Sequence, residues 1–213
     1  MTKKIIRSGI VLAGGRSQRM GSDKANLKFR DKSLLAHVTS TLNTTKDLEE
    51  ICIVKATGQQ LPNDLEDKIP TLIVEDEISG EGPLIGIAAG LKATNADICF
   101  IVAVDMPWIQ QSLLSYLAQI LETAITQQPE KNILWVLPES SHPQPLCSVI
   151  HRNALPIIEK AIDNHVRAPG RLTRDLNAIR VPREDWIPYD PYELSFRDLD
   201  TPADLKKALT DKN

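Results

Sequence analysis

The chain has 213 residues, 42% hydrophobic and 25% charged, a composition that excludes a disordered tail or a fibre and fits one globular domain spanning 1–213. Its formal net charge of −3 argues against a general nucleic-acid binder, and no apolar run approaches the roughly 20 residues a membrane helix needs. Basic residues at the start are followed by no long apolar segment, so a secretory leader is not expected and a cytoplasmic location is.

Ile5 to Leu12 is a short β-branched run that ends in Ala13-Gly14-Gly15, a buried strand feeding a glycine-rich turn. Leu34, Leu35, Val38 and Leu42 share one helix face, and Glu50 to Lys55 and Pro70 to Val74 are two further short strands. Pro83 opens a helix through Leu91, and Ile98 to Val104 is apolar on both faces, as a covered parallel strand must be. A helix follows with Leu113, Leu114, Leu117, Ile120 and Leu121 on one side, running out near Gln127. Ile133 to Leu137 and Leu146 to Ile150 are later strands, and Asn153 to Ile162 is a helix. Between Asp163 and Asp190 no period emerges. Thr201 as N-cap and Pro202 at the first helical position open the last helix. Alternating strands and helices predict a doubly wound, mostly parallel α/β sheet in three layers. Cys52, Cys99 and Cys147 each lie in or beside an apolar run, the pattern of buried thiols in a reducing compartment.

The segment from Leu12 to Lys24 follows the first strand, where a parallel sheet places its ligand crevice. Gly14 and Gly15 let consecutive amides turn toward an anion. From Arg16 to Lys32 six basic residues (Arg16, Arg19, Lys24, Lys28, Arg30, Lys32) face only Asp23 and Asp31. A polyphosphate suits that charge; a glycine turn with a solvated basic face is the alternative. The lysine stands three residues after Gly21 and precedes Ala25, which excludes a Walker loop, and the glycine spacing excludes a dinucleotide fingerprint.

Leu-Ala-Gly-Gly-x-Ser-x-Arg-Met-Gly-x-Asp-Lys resembles the signature of the molybdenum cofactor guanylyltransferases (MobA-type), nucleotidyltransferases with a Rossmann-like fold. The resemblance implies that Leu12, Ala13, Gly14 and Gly15 line a nucleotide and that Arg19 and Lys24 neutralise its triphosphate. Asp76, followed by Gly82-Pro-Leu-Ile-Gly86, resembles the segment that contacts the nucleotide and shapes the base pocket; a loop cap is the alternative for Asp76. Asp105, before Met106-Pro107, is similar to the family's Mg²⁺-binding aspartate. A carboxylate at the end of a parallel strand can serve a hard cation, whereas the alternative is a helix N-cap.

His142-Pro-Gln-Pro is similar to the family's His-Pro segment, which makes His142 a shape and hydrogen-bonding residue of the crevice or a structural histidine. Ser195 to Leu205 resembles the closing motif, with aspartates at 198 and 200 where many members have asparagine. The resemblance makes Asp198 and Asp200 acceptor contacts, but two carboxylates near a substrate phosphate repel it unless a metal intervenes. So either Asp200 helps bind a second Mg²⁺ or the pterin phosphate contacts differ from the usual ones. Lys55 stands where asparagine is common. Arg167, Arg171 and Arg174 are candidate anion contacts or solvated arginines.

The implied reaction transfers GMP from GTP to molybdopterin, giving molybdopterin guanine dinucleotide and pyrophosphate. Lys24, Arg19 and Asp105 are its catalytic residues, the N-terminal half binds GTP and the C-terminal half binds the acceptor. Client molybdoenzymes or their chaperones are further partners, and a monomer is expected. A cytidylyl- or other nucleotidyltransferase of this fold, or a nucleotide-binding adaptor that delivers cofactor without turnover, are the alternatives.

Overall fold

The computed structural model describes residues 4–14, 23–76 and 81–210. Its chain order is β1 (Arg7–Leu12), the small hairpin β2 (Lys28–Phe29) and β3 (Lys32–Ser33), α1 (Leu34–Leu42), β4 (Leu48–Ala56) and β5 (Thr71–Asp76). Then come α2 (Pro83–Ala93), β6 (Ile98–Ala103), α3 (Gln111–Gln127), β7 (Trp135–Pro138), β8 (Cys147–His151) and α4 (Leu155–Asp163). β9 (Ile179–Val181), α5 (Arg183–Trp186) and α6 (Pro202–Thr210) complete the chain.

Apart from β2 and β3, the strands form one seven-stranded sheet in the order β5-β4-β1-β6-β8-β7-β9. β1, β4, β5 and β6 run parallel, β8 lies antiparallel between β6 and β7, and β7 pairs parallel with β9. The sheet is thus mixed but mostly parallel. All six residues of β6 are buried, so its unbroken apolar run reflects helices on both faces. Alternate residues separate cleanly. Val11, Ile53, Phe100 and Val102 join α1 and α3 on one face, while Ile10, Cys52, Val54, Cys99 and Ile101 join α2 and α4 on the other. Each fully buried Leu, Ile or Phe contributes about 1.5–3 kcal/mol relative to exposure.

Both fully buried indoles have partners. The Trp135 indole donates to Ser148 Oγ (2.9 Å) and that of Trp186 to the Glu139 carbonyl (3.0 Å). The unperiodic stretch 163–190 resolves into a 3₁₀ turn at Pro169–Leu172, β9 and α5, anchored by buried Leu172, Leu176, Val181 and Trp186. Thr201 caps α6 as its sequence suggests: its hydroxyl accepts from the Asp204 amide (3.2 Å), and Asp204 accepts from the Thr201 amide (2.8 Å). All three cysteines are free and buried. Burial pushes the Cys52 thiol up to about 12 and raises those of Cys99 and Cys147 as well, leaving them unreactive. Among the described residues no helix is long and apolar enough to cross a membrane.

The hairpin and α1 depend on Asp64. Its carboxylate accepts from the Ser33 amide (2.9 Å), the Ser33 hydroxyl (2.6 Å) and Lys28 Nζ (2.5 Å), while Ser33 Oγ caps α1 through the Ala36 amide. Burial works against the charge, but the Lys28 and Ser33 hydrogen bonds outweigh it and hold this carboxyl well below the usual range. A depressed carboxyl contributes stability above the unfolded value of about 3.9, and that stability disappears as pH falls through the folded value. Asp64→Asn is therefore expected to cost about 1–3 kcal/mol at neutral pH. Urea unfolding should show the variant losing less additional stability than the parent below about pH 4.

Candidate active site

The chain runs outward from β1 to β4 and β5, then returns to place β6 on the other side of β1. That reversal creates a switch point at the carboxyl ends of β1 and β6, where open α/β sheets hold ligands. Leu12 pairs with Ala103, so Gly14 and Asp105 leave the sheet side by side. Their segments are pinned. The Ala13 and Gly14 amides donate to the Val54 carbonyl (2.8 and 3.0 Å), Val104 N–H to the Leu12 carbonyl (3.2 Å) and Leu199 N–H to the Asp105 carbonyl (2.9 Å).

A cleft of about 350 Å³ opens at this point. Leu12, Ala13, Gly14, Lys24, Asp76, Gly82 and Asp105, seven residues singled out from the sequence, all line it. Glycine is required at 14 because a Cβ there would lie 2.8 Å from the Ala56 amide nitrogen. Gly82 precedes α2 at φ 107°, and a Cβ would meet the Arg167 carbonyl oxygen at 3.1 Å. Pro83 then occupies the first turn of α2. Asp76 ends β5 as a buried residue at the cleft wall. Gly15 and Arg19 lie outside the described residues.

Lys24 stands at the centre. Asp23 caps a 3₁₀ turn over Lys24–Asn26 by accepting from the Ala25 amide (2.9 Å), which fixes the lysine at the start of that turn. Lys24 Nζ donates to Asp105 Oδ2 at 2.8 Å and to Asp200 Oδ1 at 2.5 Å. The Lys24 and Asp105 side chains are 16% and 20% exposed and that of Asp200 is 45%, so the pair with Asp105 is the more sheltered. Burial works against the ammonium, yet its hydrogen bonds to Asp105 and Asp200 outweigh burial and raise its pKa. Asp198 shifts the other way from a normal carboxylate: burial first, then the charges of Asp200 and Asp105, push it up. Asp105 does not cap a helix, since α3 begins at Gln111 with Gln110 as its cap.

Gln59 is a residue that motif reading misses. After a turn at Gly58 (φ 73°), its side-chain amide donates to the Ala13 carbonyl (3.1 Å) and to Asp23 Oδ1 (2.8 Å), and its oxygen accepts from the Ala56 amide (2.8 Å). One side chain thereby ties the described residues on either side of the glycine loop to the end of β4. Lys55 pairs with Glu75 (2.7 Å). His142 is exposed between β7 and β8, its Nδ1 2.9 Å from Ser141 Oγ, and it does not line the cleft. Arg167 is engaged elsewhere: it pairs with Glu81 (2.7 Å) and donates to the Ile162 carbonyl, clasping the entry to α2 onto the end of α4. Arg171 and Arg174 are exposed beside the α4 layer.

Two carboxylates converging on one cationic nitrogen form an all-oxygen donor set of the kind Mg²⁺ takes, one or two carboxylates plus phosphate oxygens. Among the described residues no cluster of three His, Cys, Asp or Glu could hold a metal alone, so phosphate oxygens would have to complete the shell.

A MobA-like NTP transferase domain model matches residues 9–179. A Chloroflexus aggregans protein named as a probable molybdenum cofactor guanylyltransferase is 30% identical, the alignment covering 97% of this chain and 95% of that protein. A Methanosarcina mazei protein of the same name is 31% identical over 97% and 92%. The crystal structure of molybdopterin-guanine dinucleotide biosynthesis protein A from Archaeoglobus fulgidus superposes with a TM-score of 0.74 at 23% identity, covering 94% of this chain and 96% of that one. With the cleft at the switch point and a match across most of its length, the chain belongs to the MobA-like NTP transferase family.

Proposed function

We propose that this protein transfers GMP from GTP to the terminal phosphate of molybdopterin, forming molybdopterin guanine dinucleotide and releasing pyrophosphate. The observation that carries the proposal is the convergence of Gly14, Asp76 and Gly82 with the Lys24–Asp105 pair on one cleft, in a chain whose full-length relatives bear the guanylyltransferase name. Leu12, Ala13, Gly14 and Gly15 line the nucleotide, Asp76 and Gly82 shape the base side, and Arg19 and Lys24 meet the triphosphate. Asp105, with Asp200 beside it, would hold Mg²⁺, which when bound supplies charge neutralisation across phosphate oxygens.

An oxygen of the acceptor phosphate attacks the α-phosphorus of GTP, the bond from that phosphorus to the bridging oxygen breaks, and pyrophosphate leaves with the electron pair. The acceptor phosphate is already ionised near neutral pH, so no strong general base is needed. Positioning and charge stabilisation are what such a transfer asks of the protein. Lys24 exchanges a carboxylate for phosphate oxygens and stabilises the charge that builds on pyrophosphate. Asp198 and Asp200 face the acceptor. The three buried thiols suit a reducing, cytoplasmic setting, in which the chain works as one monomeric domain with the nucleotide half first.

Pyrophosphate release with molybdopterin and GTP, CTP, ATP or UTP in parallel tests the assignment. GTP should be the preferred donor, and GTP with Mg²⁺ at 100 times its dissociation constant should stabilise the fold by about 2.7 kcal/mol. Preference for CTP would move the protein to the cytidylyl branch, and binding without turnover would make it a carrier.

A further inference from the structure

The turn that follows β4 reaches across to the segment that carries Lys24. Gln59, half-buried in that turn, uses both its amide protons and its oxygen. Its Nε2 donates to the Ala13 carbonyl (3.1 Å) and to Asp23 Oδ1 (2.8 Å), and its Oε1 accepts from the Ala56 amide (2.8 Å). Turned over, the side-chain amide would set its oxygen against a carbonyl and a carboxylate, so these partners fix its orientation. Asp23 is held from its other oxygen too: Asn26 Nδ2 donates to Asp23 Oδ2 (2.9 Å) and to the Gln60 carbonyl (2.7 Å). The turn that presents Gln59 is itself braced. Gln59 N–H donates to the Ala56 carbonyl (3.0 Å), and Lys55 Nζ donates to the Gln59 carbonyl (3.0 Å).

These bonds add little to the core, since Gln59 and Asp23 are half-buried and Asn26 and Gln60 are exposed. What they fix is the residue next to Asp23. Asp23 Oδ1 accepts from Gln59 and also from the Ala25 amide (2.9 Å), so the oxygen that caps the Lys24 turn is tied to the end of β4. Lys24 has a second hold, through Nζ on Asp105 and Asp200, but a cation and phosphate oxygens would claim those carboxylates. The hold that does not involve them runs through Asp23. It is a charge-assisted bond, about twice as strong as a neutral one. Ala13 depends on Gln59 less, because its own amide is anchored on the Val54 carbonyl (2.8 Å).

We propose that Gln59 is a positioning residue for the transfer, acting through Asp23 to set the Lys24 ammonium where the triphosphate meets it. The assignment rests on the reading of Lys24 as the cation that serves the triphosphate, and deepens it. Gln59 does not itself line the cleft, so its effect is transmitted rather than direct. Lys55, which departs from the asparagine common at its position, braces the turn that presents Gln59.

A double-mutant cycle tests the role, with affinity for the nucleoside triphosphate that the parent prefers measured by titration calorimetry in the presence of Mg²⁺. Gln59→Ala should weaken binding about 10-fold, the scale of one charge-assisted hydrogen bond. In a Lys24→Ala background the same change should cost less than about 2-fold, because the group that it positions is gone. Gln59→Glu keeps the size of the side chain and its bond from the Ala56 amide, but it sets a carboxylate against Asp23. It should therefore bind at least as weakly as Gln59→Ala, whereas a role confined to the turn would leave it at the parent affinity. Equal losses in the two backgrounds, or parent-level affinity in Gln59→Glu, overturn the proposal. Dinucleotide formation is read separately. A parent that binds the triphosphate yet transfers no GMP overturns the guanylyl-transfer reading, while the affinity cycle still decides the role of Gln59.

Discussion

Lys24→Ala is expected to lower turnover by on the order of 10²–10³, the scale for removing one preorganised stabilising group. The ammonium is held in place before any ligand arrives, by an Asp23-capped turn and by hydrogen bonds of 2.8 and 2.5 Å to Asp105 and Asp200. Those two carboxylates outweigh burial and raise its pKa, so it is fully charged at neutral pH. Removing it does more than delete a donor. Asp105, Asp200 and nearby Asp198 would then face the triphosphate with no ammonium among them, and like charges at close range repel it. GTP binding should weaken as kcat falls, and Lys24→Arg should restore only part of the rate because the guanidinium is larger and planar. Pyrophosphate release at saturating GTP is the decisive measurement, and near-parental rates there would remove Lys24 from the chemistry.

Much of this arrangement could be read from the sequence, and what escaped did so for physical reasons. β1 and β6 were legible because a strand covered on both faces leaves an unbroken apolar run, and α1, α3 and α6 because their apolar spacing or caps are local. The direction of β8 is not encoded in its own residues, since an apolar run reads alike either way. The connection did carry the signal: only eight residues separate β7 from β8, too few for the dozen or more that a parallel crossover needs. From 163 to 190 the chain holds its place by isolated anchors such as Leu172, Leu176 and Trp186, and isolated anchors have no period.

The site divides in the same way. Leu12, Ala13 and Gly14 are contiguous with β1, so their place at the cleft followed from the strand itself. The partners of Lys24 are 81 and 176 residues away in sequence, and nothing local marks them as its counterions. Gln59 is harder still. It belongs to no motif, and its role exists only once β1 and β4 lie side by side and bring Ala13, Asp23 and Ala56 within its reach. The closing segment raised a puzzle at Asp198 and Asp200, two carboxylates beside a substrate phosphate. Lys24 answers part of it, because Asp200 is already neutralised by an ammonium at 2.5 Å.

Asp105→Asn should abolish Mg²⁺-dependent product formation while leaving the melting temperature nearly unchanged. Asparagine keeps the size of the side chain and the backbone, so the Asp105 carbonyl still accepts from Leu199 (2.9 Å) and the segment stays in register. Lys24 retains Asp200 as a partner, so the substitution leaves no unpaired ammonium in the cleft. What is lost is a negative oxygen with a side chain only 20% exposed, a position from which a neutral amide oxygen serves a hard cation poorly. GTP alone should still stabilise the variant, and the extra stabilisation that Mg²⁺ adds in the parent should vanish. Thermal unfolding with nucleotide, with and without the cation, separates these contributions. A variant that instead unfolds at lower temperature without any ligand would assign Asp105 to holding the chain together and take the metal site away from it.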